Sequence, residues 1–153
     1  MKIVFLGTPR FAQIVLEKLA TSKYKPSLVI TGRDRKKGRG QALQPTFVKI
    51  AAQKHQIPIS YELSDVDKSF DLAILVAYGH IVPKDILENP KFHFLNVHPS
   101  LLPKYRGPSP IQSAILSGEN ETGVTIIKLD EELDHGPIIS QKSIAIENTD
   151  THA

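Results

Sequence analysis

The sequence begins with a strand, a turn, a helix and a second strand within about thirty residues. Residues 2–6 (KIVFL) are a short run of mostly apolar, partly β-branched residues, and a Gly-Thr-Pro turn ends it. The apolar residues of 10–20 then recur at helical spacing, and residues 27–31 (SLVIT) have the composition of another buried strand. Two strands joined by a helix in this way lie parallel in one sheet. The pattern therefore predicts an α/β fold with a parallel sheet.

The rest of the chain continues this alternation of helices and strands. Residues 71–77 (DLAILVA) are apolar on both faces and are the strongest candidate for a central strand. Further helices are predicted over 45–55, 83–87 and 111–116, and further strands over 57–61, 92–97, 124–129 and 137–146. With 153 residues, 41% of them hydrophobic and 23% charged, the chain has the size and composition of one globular domain.

The composition and spacing of polar residues exclude several kinds of chemistry. The absence of cysteine excludes a disulfide framework, a thiol nucleophile and any cysteine-ligated metal. The six histidines show no metal-ligand spacing, so no metal is expected. Neither Gly-x-Gly-x-x-Gly nor a Gly-Lys-Ser/Thr loop occurs, which disfavours dinucleotides and nucleoside triphosphates. Without a signal-peptide core or a run of about 20 apolar residues, the sequence predicts a soluble cytoplasmic protein that binds no membrane.

Positive charge is concentrated in one segment. The formal net charge is +3, and residues 33–39 (RDRKKGR) contain five of the 19 basic residues with a single acid. Guanidinium groups beside glycine suit contact with a phosphodiester backbone, whereas a solvated surface loop is the structural alternative. We expect residues 32–44 to be a polar loop, and residues 33–39 within it to lack order before RNA binds.

An amide and an imidazole lie close together where the strand predicted over 92–97 ends. Asn96 and His98 are two residues apart, so an extended chain places both side chains on one face. Such a pair could stabilise a developing oxyanion and move protons. Asp134 precedes a Gly-Pro pair, where a tight turn could aim its carboxylate toward His98 and orient it. The alternative is that these residues have structural roles only: Asn96 as a capping residue, His98 as a hydrogen-bonded loop histidine and Asp134 as part of a solvated acidic turn. Spacing alone does not decide between the catalytic and the structural interpretation.

Several of these segments together resemble one enzyme family. Residues 96–107 (NVHPSLLPKYRG) are similar to the signature of the 10-formyltetrahydrofolate-dependent formyltransferases, and residues 123–125 (GVT) and 133–137 (LDHGP) resemble their second active-site segment. The similarity can be followed along nearly the whole chain. It implies a Rossmann-like three-layer α/β domain over residues 1–153 with a mostly parallel central sheet, and 10-formyltetrahydrofolate as formyl donor.

The resemblance also implies roles for individual residues. Asn96 and His98 would stabilise the oxyanion as an amine attacks the formyl carbon, and Asp134 would support His98 and help proton transfer. The residues implied for the folate pocket are Ala77, Tyr78, Gly79, His80, Ile81, Val82, Ser100, Leu101, Leu102 and Pro103. The residues implied for tRNA contact are Arg33, Arg35, Lys36, Lys37 and Arg39, with Arg39 at the acceptor end.

The amino substrate is indicated by four segments. The chain is similar to family members that formylate methionyl-tRNA for translation initiation in the turn 7–9 (GTP), the basic loop, residues 106–112 (RGPSPIQ) and residues 121–126 (ETGVTI). This implies initiator methionyl-tRNA and folate as partners, and we expect a monomer. Two alternatives stay open: a formyltransferase acting on an amino sugar nucleotide, and a folate- or RNA-binding module without activity. Residues 147–153 resemble the start of a further element, so we expect a catalytic domain truncated at its C-terminal end, without the family's C-terminal barrel domain.

Overall fold

A computed structural model describes residues 1–37 and 41–151, and the chain divides into two compact units, residues 1–94 and 95–153. The strands of the first unit are β1 (Ile3–Gly7), β2 (Leu28–Ile30), β3 (Arg35–Lys37), β4 (Ala42–Gln44), β5 (Ile59–Ser60) and β6 (Leu72–Val76), and its helices are α1 (Arg10–Ala20), α2 (Phe47–Lys54) and α3 (Lys84–Leu87). Strands β5, β2, β1 and β6 neighbour one another in that order and are all parallel. Strand β1 is buried along its whole length, as the apolar N-terminal run predicts.

Gly7 allows β1 and α1 to approach closely at the turn that joins them. A Cβ atom at this position would lie 2.7 Å from the Cβ of Ala12 and 2.8 Å from the carbonyl oxygen of Val76. Any larger residue would therefore push the helix away from the strands. The carboxyl ends of β1 and β6 lie side by side, with Gly7 opposite Val76.

The segment 32–44 differs from the expectation of an irregular polar loop. Strands β3 and β4 form an antiparallel hairpin in which Arg35 pairs with Gln44 and Lys36 with Leu43. Arg35 and Lys36 of β3 and all three residues of β4 are exposed, so no alternation of apolar and polar residues marks these strands in the sequence, and backbone hydrogen bonding decides the structure. Residues 38–40, among them Arg39, lie outside the described residues.

The second unit contains β8 (Glu121–Lys128), β9 (Ile138–Ala145) and helix α4 (Pro110–Leu116), and β7 (Phe94–His98) leads into it. Its strands are antiparallel in the order β7, β8, β9, with His98 opposite Thr125. The predicted α/β class with mostly parallel strands is confirmed, and β8 begins three residues before the predicted strand. Over residues 1–37 and 41–151, no helix has the length and apolar character needed to cross a membrane.

Candidate active site

The strand β7 places Asn96 and His98 on one face, as their spacing predicts. Asn96 is 7% exposed and His98 is 4% exposed, while Leu95 and Val97, which alternate with them along the strand, are half-buried. Buried amide and imidazole groups need polar partners, because burial without them costs free energy. The partners come from the segments that follow β7 and β8.

The carboxylate of Asp134 joins these segments. Its Oδ1 accepts a hydrogen bond from Nδ2 of Asn96 at 3.1 Å and lies 3.5 Å from Nδ1 of His98. Its Oδ2 accepts from the backbone N–H of Gly107 at 2.9 Å. Asp134 is itself 6% exposed. The structure therefore brings together the three polar side chains that the sequence singled out.

The imidazole of His98 lies between two oxygen atoms. Its Nε2 is 2.9 Å from the carbonyl oxygen of Tyr105, so a proton on Nε2 donates to that carbonyl. Its Nδ1 faces the carboxylate of Asp134. A neutral ring carries its proton on Nε2 in this arrangement, and a second proton on Nδ1 would face a negative charge. The ring can therefore accept and return a proton at Nδ1.

A tight turn after β8 positions Asp134. The φ angle of Asp134 is +50°, a left-handed conformation that aspartate adopts more readily than most residues. Two residues later, a Cβ at Gly136 would lie 1.8 Å from the carbonyl oxygen of Lys128. The turn closes through a hydrogen bond from the N–H of Lys128 to the carbonyl of Pro137 at 2.9 Å. Glycine is thus required two residues beyond the buried carboxylate.

Thr125 fixes the loop that follows β7. Its hydroxyl donates to the carbonyl of Ser100 at 2.6 Å and accepts from the N–H of Leu102 at 3.1 Å. Nε2 of Gln141 donates to the same hydroxyl at 2.8 Å and to the carbonyl of Leu102 at 3.0 Å. Sequence reasoning includes Thr125 in the segment 123–125 without assigning it a role, and it missed Gln141. Thr125 lies on the buried face of β8 opposite His98. Ser100 and Leu102, both proposed for the folate pocket, are buried within this loop.

The other two loop residues proposed for folate binding line a cavity. Leu101 and Pro103 border a space of about 330 Å³. The remaining lining residues are Lys104, Tyr105, Glu119, Glu121 and Thr122. Asn96, His98 and Asp134 are not among the residues that line it. The cavity therefore borders the loop after β7 rather than the buried polar side chains.

Residues 77–82 follow β6 in the first unit. Ala77 and Gly79 have φ angles of +44° and +84°, so the backbone changes direction twice within three residues. Tyr78 turns inward, where burial raises the pKa of its hydroxyl, and a smaller part of the rise comes from the charge of Glu62. Ile81 is 89% exposed. This loop presents backbone groups and an apolar side chain at the carboxyl end of a parallel strand.

Ionic and aromatic contacts hold the base of the basic hairpin. Nζ of Lys49 donates to both carboxylate oxygens of Asp34, at 2.8 and 2.9 Å, and lies 5.7 Å from the ring centroid of Tyr61. The pKa of Lys49 is raised, first by its hydrogen bond with Asp34 and then by one with Tyr61. Arg33 contacts Glu62 at 2.5 Å, and its guanidinium carbon lies 5.1 Å from the centroid of the Tyr61 ring. Arg33 is thus already paired at the base.

The other basic residues of the segment lie further along the hairpin. The side chains of Arg35 and Lys36 are exposed, and Lys37 is the last residue of β3. Within residues 1–37 and 41–151, no group of three or more histidine and carboxylate side chains is placed to hold a metal ion.

This chain is similar in sequence to proteins of one family. A family model described as "Formyl transferase" matches residues 1–153. The chain is 44% identical over 159 residues to a methionyl-tRNA formyltransferase of Halalkalibacterium halodurans, covering 98% of this chain and 50% of that protein. It is 45% identical over 160 residues to one of Kosmotoga olearia, covering 98% and 51%. The chain spans about half the length of these curated relatives.

A solved structure supports the same fold. The phosphoribosylglycinamide formyltransferase from Bacillus halodurans matches with a TM-score of 0.76 at 26% sequence identity. The match covers 99% of this chain and 83% of that chain.

Proposed function

We propose that this chain, which belongs to the formyl transferase family, transfers a formyl group from 10-formyltetrahydrofolate to the amino group of methionyl-tRNA. The observation that carries the proposal is the buried contact of Asn96, His98 and Asp134. An amide donor, an imidazole and a carboxylate in mutual contact can stabilise negative charge on oxygen and move one proton. Both are needed when an amine attacks a formyl carbon.

Asn96 is suited to act on the formyl oxygen. One of its amide N–H bonds is directed to Asp134, which fixes the plane of the amide. Its second N–H can donate to the formyl oxygen as negative charge develops there. A preorganised donor in a buried site costs no reorganisation during the reaction.

His98 is suited to move the proton. 10-Formyltetrahydrofolate supplies the formyl carbon, and the new carbon–nitrogen bond forms as the bond from that carbon to N10 breaks. The amine loses one proton and N10 gains one, so the chain must accept a proton and return it. Nδ1 of His98 is the atom for this step, because Nε2 is occupied by the carbonyl of Tyr105 and Asp134 stabilises positive charge on the ring.

The loop 77–82 fits a flat ring system with hydrogen-bonding edges. Ala77 and Gly79, both in left-handed conformations, expose backbone donors and acceptors, and Ile81 offers apolar surface. Such a combination of apolar contact and a few convergent polar groups is typical of small-molecule sites. Backbone and apolar contacts from this loop would therefore hold the folate.

The hairpin β3–β4 supports tRNA as the amino substrate. Arg35 and Lys36 project from a hairpin whose base is fixed by the Asp34–Lys49 ion pair. Cations on a held ribbon can contact phosphates in a defined place, and affinity then falls with salt concentration. Arg33 contributes to the base of the hairpin, whereas Arg39 and Lys37 remain tRNA-contact candidates from the sequence.

Formylation assays test the proposal directly. The 153-residue chain, and a chimera in which the C-terminal half of the Halalkalibacterium halodurans relative follows it, would be incubated with 10-formyltetrahydrofolate and methionyl-tRNA. We expect at least the chimera to produce formyl-methionyl-tRNA. The His98→Ala variant is the control and should be inactive. If neither protein formylates methionyl-tRNA but an amino sugar nucleotide is formylated, the amino substrate has been misassigned. Folate binding without any transfer would indicate a binding module.

Arg35→Ala tests the tRNA contact separately. We expect weaker binding of tRNA and a salt-dependence slope smaller by about one, because one phosphate contact is lost, with the KM for the folate unchanged. Lys18→Ala, which removes an exposed charge from α1, is the matched control. An equal effect of both variants on tRNA binding would contradict a specific role for the hairpin.

A further inference from the structure

Tyr105 has an unusual backbone conformation at the point where it contacts His98. Its φ angle is +57°, which is rare for an aromatic residue, and its carbonyl oxygen receives the Nε2 proton of His98 at 2.9 Å. A bulky residue keeps this conformation only where its surroundings determine it strongly. The position of the carbonyl therefore depends on what holds Tyr105.

The side chain of Tyr105 is held by Glu119. Its hydroxyl donates to Oε1 of Glu119 at 2.7 Å, and Nζ of Lys104 donates to the same oxygen at 3.0 Å. Hydrogen bonds to an ionised carboxylate are shorter and stronger than neutral ones. The pKa of Glu119 is lowered, first by the bond from Tyr105 and then by the bond from Lys104, so the carboxylate is charged at neutral pH.

Glu119 is in turn fixed by the end of helix α4. Its backbone N–H donates to the carbonyl of Ala114 at 3.2 Å, and Gly118 before it has a φ angle of +66°. This is the usual way in which a glycine ends a helix and redirects the chain. Glu119 is therefore presented to Tyr105 by a regular element rather than by another loop.

The backbone on both sides of Tyr105 is held as well. The carbonyl of Lys104 accepts from the hydroxyl of Ser100 at 2.7 Å, and the N–H of Gly107 donates to Asp134 at 2.9 Å. With these positions fixed, a hydrogen bond at the end of the Tyr105 side chain limits rotation of the residue between them. The orientation of the carbonyl follows from that restriction.

We propose that Glu119 and Tyr105 are positioning residues for His98, a role that rests on the formyl transfer proposed above. The bond between them holds the Tyr105 carbonyl against Nε2 of His98, which keeps the ring proton on Nε2 and leaves Nδ1 facing Asp134. Without the bond, the carbonyl shifts and the ring samples other orientations. Proton transfer at Nδ1 then becomes slower although every catalytic side chain is present.

Nuclear magnetic resonance of the 153-residue chain tests this without any substrate. The Hε2 proton of His98, detected with ¹⁵N-labelled histidine, should exchange slowly with water in the parent protein. Tyr105→Phe and Glu119→Ala should speed that exchange at least tenfold, and Glu119→Gln, which keeps an acceptor oxygen, should have a smaller effect. Glu121→Gln, at another carboxylate bordering the same cavity, is the control. An unchanged Hε2 exchange rate in Tyr105→Phe would overturn the proposal.

Kinetics give the second measurement. Tyr105→Phe and Glu119→Ala should each lower kcat about tenfold, or about 1.4 kcal/mol of activation free energy, with the KM for the folate unchanged. The double variant should be no slower than either single one, because both changes remove one bond. Losses that multiply in the double variant would contradict the proposal. If the parent protein transfers no formyl group, the proposed function fails, while the exchange measurement still decides whether Glu119 positions His98.

Discussion

The backbone N–H of Gly107 donates to Oδ2 of Asp134 at 2.9 Å, while the other oxygen of that carboxylate accepts from Asn96 at 3.1 Å. One carboxylate thus connects the loop after β7 with the turn after β8. Because both oxygens accept N–H bonds, the carboxylate cannot rotate without breaking one of them. Asp134 therefore orients the amide and the imidazole beside it as well as supplying charge.

Asp134→Asn tests this double role. The substituted amide can accept at one position only, so its NH₂ group must face an N–H of either Gly107 or Asn96. We expect kcat to fall about 10²- to 10⁴-fold, the usual range for a lost acid–base group, with little change in the circular dichroism spectrum. Asp130→Asn, at a half-buried carboxylate of the same turn that contacts neither Asn96 nor His98, is the control. Formyl transfer within threefold of the parent rate would remove Asp134 from the mechanism.

Lys49→Met tests the base of the basic hairpin. The change leaves the Asp34 carboxylate without its ammonium partner while keeping most of the length of the side chain. We expect tRNA affinity to fall about two- to fivefold, since partly exposed ion pairs contribute modestly, and trypsin to cut the hairpin faster. Lys54→Met, also on α2 but beside Glu17, is the control. Unchanged trypsin cleavage together with unchanged tRNA affinity would show that the pair does not hold the hairpin.

Gly136→Ala tests the turn that carries Asp134. The added methyl would lie 1.8 Å from the carbonyl oxygen of Lys128, so the backbone must move. We expect the free energy of unfolding to fall by about 1–3 kcal/mol, as for other overpacked positions, and kcat to fall with it. Gly32→Ala is the control for stability, because its nearest neighbours would be 3.7 Å from the new atom. Equal unfolding free energies for the two variants would contradict the steric argument.

Glu119 should make stability depend on pH. Its pKa lies below the ordinary 4.5, chiefly because Tyr105 donates to it and next because Lys104 does. A carboxyl group whose pKa is lowered by folding stabilises the fold at any pH above its pKa in the unfolded chain. This contribution disappears as the pH falls through the pKa that the group has in the folded protein. We expect the melting temperature of Glu119→Gln to lie below that of the parent at pH 7 and to converge with it below pH 4.5. A gap of constant size down to about pH 3 would contradict this.

The sequence predicts the side chains of the candidate site better than their backbone partners. The two-residue spacing of Asn96 and His98 is enough to place them on one face of a strand. The approach of Asp134 to His98 depends on the left-handed conformation of Asp134 itself and on Gly136, which has no room for a Cβ. The periodicity of the sequence predicts neither feature. The carbonyl of Tyr105 and the N–H of Gly107 are backbone groups, so the residue types do not reveal their contribution.

The hairpin β3–β4 shows a second limit of sequence reasoning. The pattern of residues 33–39 indicates a charged surface segment, and Arg35 and Lys36 are indeed exposed. Their pairing with β4 comes from backbone hydrogen bonds, and the base depends on Lys49, which is 12 residues beyond the end of β3. Contacts of this kind become visible only when the chain is folded.

The turn from residue 133 to residue 136 alternates between exposed and buried positions. Leu133 is 70% exposed and the His135 side chain is 50% exposed, whereas Asp134 is buried and Gly136 has no space for a larger residue. We therefore expect random substitutions to be tolerated at the exposed positions of this stretch and to be harmful at the buried positions next to them. Substitutions at 133 and 135 change exposed side chains, while those at 134 and 136 remove a buried carboxylate or add atoms where there is no room. A library randomised over these four codons would recover that alternation as a fitness profile.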